Sequence, residues 1–178
     1  ATLERLRQLD EHPEGERPYL IVSLGDSSVQ GMGASRVTES YPARLASAIT
    51  QQMDREVLLL NLSLSGATIE SVELTQLPQM RGLGLLDGPY RPDLVTLTIG
   101  GNDVMAEDMA LGQFEERLRR ILAALPSGAL VSTIPSFGIM PQESRAQDMS
   151  DRIRAAVEDS DAHLVDLRSL TQEYSLPT

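Results

Sequence analysis

No lysine, cysteine or tryptophan occurs in this sequence, and its aromatics are limited to four tyrosines and two phenylalanines. Without lysine, Schiff-base catalysis, a P-loop and a phospho-receiver site are excluded, because each needs an ammonium at a fixed place. Without cysteine there is no disulfide, thiolate metal site or cysteine nucleophile, although the compartment stays open. No apolar stretch approaches the roughly 20 residues of a membrane-spanning helix. Positive charge is also short: the cations are 15 arginines, against 26 acidic residues, for a net charge of −11. Such a field repels phosphate backbones and anionic membrane surfaces, which argues against a nucleic-acid partner. Ala1 to Glu16 is polar and shows no signal peptide, so the sequence leans to the cytoplasm, although a processed secreted start would look the same.

What is present suits one globular α/β domain. The 178 residues are 41% hydrophobic and 23% charged, enough for one core and too few for two. Residues 1–17 read as a polar lead-in to that single domain. Apolar runs at Tyr19 to Leu24, Val57 to Asn61, Leu94 to Ile99, Ala129 to Ile134 and His163 to Leu167 predict five strands. Between them, Tyr41 to Gln52, Ile69 to Leu77, Phe114 to Leu125 and Gln147 to Glu158 carry apolar residues at three- and four-residue spacing and predict crossover helices. The strand ends recur about every 35 residues, the period of βα units, so the expected fold is a three-layer α/β/α sandwich on a five-stranded parallel sheet. Gly82, Gly84 and Gly88 lack the spacing and the preceding strand of a dinucleotide fingerprint and read as loop glycines.

In an open parallel sheet the turns after the strands share one edge, where ligands bind. Three turns there carry chemistry. Gly25-Asp26-Ser27-Ser28 places small hydroxyl residues where the first strand releases the chain; an ordinary helix cap and a nucleophile are both served by such a sequence. Asn61 to Gly66 follows the second strand, with Gly66 able either to make a plain turn or to aim its N–H at a ligand. Gly100-Gly101-Asn102-Asp103 follows the third, where Asn102 can cap a helix or offer a neutral amide donor to a developing oxyanion.

Taken together and in this order, the blocks GDSSVQG, NLSLSG and IGGND resemble those of the SGNH (GDSL-type) hydrolases. The resemblance spans residues 19–103. It implies a flavodoxin-like SGNH fold and hydrolysis of carboxylic esters, whether as esterase, lipase or acetyl-esterase, through an acyl-serine intermediate. Ser27 would be the nucleophile. The Ser27 N–H, the Gly66 N–H and the Asn102 side chain would form the oxyanion hole, with no metal or organic cofactor, and the substrate would be a small-molecule, lipid or acetylated ester. The loop Ser136 to Pro141, with Met32, Met80 and Met105, offers either an apolar wall for an acyl chain or ordinary packing.

The sequence departs from the family at the base. The family places a histidine in an Asp-x-x-His block after the last strand, and the two histidines here are His12 and His163. His12 lies in the polar lead-in. His163 follows Ser160 rather than an aspartate at the matching spacing, and it opens the last strand, about 13 Å from the catalytic edge at ~3.3 Å per residue. The sequence therefore predicts either that it stops short of the base-carrying block and closing helix, which the resemblance of Asp166 to Leu170 to the family's last strand and the approach to its final loop favours, or that the protein is a variant without the base. Loss of the histidine costs about 10⁶ in turnover in one serine protease, so a nearly inert chain is expected. The alternative function is a catalytically inactive SGNH-like or flavodoxin-like module that binds a ligand through the same loops.

Overall fold

A computed structural model describes residues 2–11, 17–106 and 108–172. Five parallel strands form one sheet in the order β2-β1-β3-β4-β5. The strands are β1 (Tyr19–Gly25), β2 (Val57–Asn61), β3 (Leu94–Thr98), β4 (Leu130–Ser132) and β5 (His163–Val165). After β1 the chain steps outward to β2 and then returns to the other side of β1 as β3, so the switch in direction lies between β1 and β3. A crevice opens outside the carboxyl ends of the strands at such a point.

Burial follows position in the sheet. β1 sits between two neighbours and is buried almost throughout, which is why its sequence is apolar but for Ser23 rather than an alternation. β5, at the edge, is exposed at all three residues. Leu20, Val22, Leu24, Val95, Leu97 and Val131 face the main core, which is closed by α1 (Thr2–Glu11), α5 (Leu77–Gly82), α7 (Leu111–Ala124) and α8 (Glu143–Glu158). The opposite face carries Ser23, Thr96, Thr98, Leu130 and Ser132, with α3 (Tyr41–Met53) lying over its β2 side.

Several boundaries differ from the sequence reading, each for a physical reason. The lead-in is not featureless: α1 buries Leu6 against the core, and Thr2 Oγ1 donates to the Leu59 carbonyl at 3.1 Å. Its mostly polar composition hides a narrow apolar face. The last strand ends two residues early, at Val165, and residues Leu167–Gln172 form α9. Asp166 causes the change, because its carboxylate accepts from Ser169 N and Ser169 Oγ and so caps a new helix. The Ser169 hydroxyl leads the interactions that lower the Asp166 pKa to about 2. Arg168 then turns inward, buried against Gln147 and Glu143. The helix expected over Ile69 to Leu77 runs on to Gly82, as α4 (Ile69–Ser71), a turn of π-helix (Val72–Gln76) and α5.

Candidate active site

The first turn is built on a glycine with no substitute. Gly25 has φ +145, and a Cβ there would be driven into the Thr98 carbonyl oxygen and the Val29 side chain. The next residue, Asp26, is the N-cap of α2 (Ser27–Gln30), its Oδ1 accepting from Ser28 N at 2.9 Å and Ser28 Oγ at 2.7 Å. Capping is thus done by Asp26. Ser27, half-buried at the first helical position, has no hydrogen-bond partner for its hydroxyl among the described residues. Its N–H, like any at a helix start, has no partner within the helix.

The second turn is tied to the first by side chains. Asn61 Nδ2 donates to the Val29 carbonyl at 2.8 Å, and Gln30 Nε2 donates to the Ser63 carbonyl at 2.9 Å. Leu64 N donates to the Gly25 carbonyl at 3.1 Å. Gly66 is exposed and left-handed at φ +75, with open space where a Cβ would stand. Its requirement for glycine is one of backbone conformation alone.

The third turn closes over both. Gly101 sits beside Asp26: a Cβ on it would stand 3.6 Å from Asp26 Oδ2. Asn102 and Asp103 lie on α6 (Gly101–Met105). Asn102 Nδ2 donates to the Ala67 carbonyl at 2.8 Å, which commits one of its two N–H groups and leaves the other unpaired among the described residues. Asp103 is buried, and its two oxygens accept from Ile69 N at 3.0 and 3.1 Å. Burial raises its pKa to about 6; the N–H groups of Ile69 and of Asp103 itself oppose the rise, and the negative charge of Asp26 adds to it. The three blocks therefore meet at the β1/β3 switch point, with Ser27, Gly66 and Asn102 on adjoining turns.

Beside this edge an apolar cavity of about 540 Å³ runs down the face of the sheet that α3 covers only in part, from Asp26 and Ser28 past Thr98, Leu130 and Val165. Of the expected loop Phe137 lines it, with Pro135 just before that loop. The three methionines do not: Met80 is fully buried in the core, while Met32 and Met105 are exposed. Tyr41 borders the cavity, its hydroxyl within hydrogen-bonding distance of Thr98 Oγ1 at 3.2 Å and its pKa raised by burial.

His163 is at the far end. It opens β5, donates its N–H to the Ala129 carbonyl at 2.8 Å and pairs with Leu130, the first residue of β4. His12 lies outside the described residues. Among the described residues, no three acidic or histidine side chains converge to hold a metal ion, and no helix is long and apolar enough to cross a membrane.

A parallel α/β sandwich with three such turns at its switch point is the architecture of the SGNH-type hydrolases. Residues 23–178 match the GDSL-like Lipase/Acylhydrolase family, and the chain belongs to it. Solved structures agree on the fold. Axe2, an acetylxylan esterase from Geobacillus stearothermophilus, is 18% identical with a TM-score of 0.66, over 88% of this chain and 79% of that one. LAE5, an alpha/beta hydrolase enzyme from the metagenome of Lake Arreo, Spain, is 21% identical with a TM-score of 0.67, over 88% of this chain and 80% of that one. Catalytic mutants of Axe2 replace a serine, an aspartate and a histidine by alanine. Comparison with curated protein sequences gives no match.

Proposed function

We propose that the chain carries the nucleophile and oxyanion hole of a serine ester hydrolase. Ser27 Oγ forms a bond to the acyl carbon of an ester, the carbon–oxygen bond to the alcohol breaks, and water then releases the acid from the acyl-serine. The Ser27 proton leaves with the alcohol. The Ser27 N–H, the Gly66 N–H and the unpaired N–H of Asn102 stabilise the negative oxygen of each tetrahedral intermediate. The observation that carries this reading is that the Ser27 hydroxyl has no partner among the described residues: Asp26 has taken the capping role that would otherwise explain a serine there.

The proton acceptor is not among the described histidines, since His163 lies at the opposite edge. Without a base beside Ser27 turnover should be slow, and added imidazole should raise it by standing in for that base. A non-hydrolytic ligand-binding module of the same fold is the competing reading, favoured by that same distance. Acetyl esters are the first substrates to assay, given the acetylxylan esterase that shares the fold. In p-nitrophenyl acetate hydrolysis with and without imidazole, Ser27→Ala should fall to the background rate and Asn102→Ala should lose about 10² to 10³. Equal rates for the unmodified chain and Ser27→Ala, with imidazole present, leave the binding module as the better reading.

A further inference from the structure

Gln76 is a fully buried polar side chain at a position where the helix stripe Ile69, Val72, Met80 calls for an apolar one. Both ends of its amide go to a single residue. Oε1 accepts from Gly25 N at 2.9 Å, and Nε2 donates to the Gly25 carbonyl at 2.8 Å. Gly25 is the last residue of β1 and stands two before Ser27. A bidentate amide at this point fixes both backbone groups of Gly25, and with them the direction in which the chain leaves the sheet.

The helix is deformed where Gln76 is delivered. Leu77 N bonds to the Val72 carbonyl, five residues back, which makes Val72–Gln76 a π turn. Pro78 explains the deformation: it has no N–H, and its ring crowds the carbonyl four residues before it, that of Leu74, in a regular helix. A wide turn relieves the crowding and rotates the residues before it, and such turns recur at functional sites.

We propose that Gln76 is a positioning residue for Ser27, acting through Gly25 to set where the Ser27 hydroxyl and N–H stand relative to the Gly66 and Asn102 donors. This rests on Ser27 being the nucleophile. A displacement of about 1 Å in such a group costs on the order of 10² in rate, whereas a group that only supports the fold changes stability and leaves the chemical step of the folded fraction alone.

The test compares Gln76→Met and Gln76→Glu with the unmodified chain and Ser27→Ala. The first readout is the second-order rate of fluorophosphonate adduct formation at Ser27, followed by mass spectrometry with imidazole present, at a temperature where circular dichroism shows each variant folded. Gln76→Met should react ten- to a hundredfold more slowly. Gln76→Glu is the sharper probe, because a protonated carboxyl reproduces the amide, accepting from Gly25 N and donating to the Gly25 carbonyl, while the carboxylate loses the donor. Its rate relative to the unmodified chain at the same pH should therefore recover as pH falls and drop as pH rises. A ratio near one at every pH overturns the positioning role even where Gln76→Met fails to fold. An adduct that persists in Ser27→Ala overturns the assignment of the nucleophile instead.

Discussion

Replacing Asp103 by asparagine should change how stability depends on pH, by an amount the structure sets. The carboxyl is wholly buried at the junction of the second and third turns, and burial leads the causes that place its pKa at about 6 against an ordinary 3.8. Around it are the Ile69 and Asp103 N–H groups, the Asp26 carboxylate and Arg145, whose guanidinium also donates to the Asp103 carbonyl. Between these two pKa values the folded protein keeps a proton that the unfolded chain has released. The stabilising contribution is therefore complete below about pH 3.8 and is lost as pH rises through 6. A difference of about two units at 1.36 kcal/mol per unit gives about 3 kcal/mol in all, of which about 2 kcal/mol falls between pH 4.5 and 7.5. Asp103→Asn keeps an oxygen for Ile69 N but cannot titrate. Urea unfolding followed by circular dichroism across that range should show the variant gaining about 2 kcal/mol on the unmodified protein as pH rises. Asp166, held near 2, titrates below the window and is common to both proteins. Parallel stability curves for the two would refute the argument.

Two further substitutions separate kinds of local constraint. Gly25→Ala meets both a positive φ and the Thr98 carbonyl, so it should cost about 3 kcal/mol or more, whereas Gly66→Ala, with open space around it, should cost only about 1–2 kcal/mol; equal losses in denaturant midpoints would show that space is not the difference. Ser132 Oγ is buried at the cavity wall without a partner among the described residues, so Ser132→Ala should be neutral or stabilising by about 1 kcal/mol in the same measurement, and a loss of that size would reveal a bond beyond those found there.

The sequence by itself determined the sheet and the three turns. A parallel strand buried on both faces is mostly apolar, with only small hydroxyls such as Ser23 and Thr96 that pair with each other, so Tyr19 to Leu24 and Leu94 to Ile99 announce themselves, and the glycines after them mark where the backbone must turn in conformations other residues resist. The amphipathic stripes of α3 and α7 were equally plain, because their three- and four-residue spacing is a local property. What only the tertiary structure decided depends on partners distant in the chain. The lead-in looked polar until Leu6 met the core, and Asp166 and Leu167 looked like the end of a strand until the Asp166 carboxylate found Ser169 and Arg168 found Glu143. A glutamine on an apolar stripe was visible at Gln76, but its meaning was not, since the amide is satisfied 51 residues away at Gly25. The same holds for Ser27: sequence left it divided between cap and nucleophile, and it was the fold that gave the cap to Asp26 and left the Ser27 hydroxyl without a partner among the described residues.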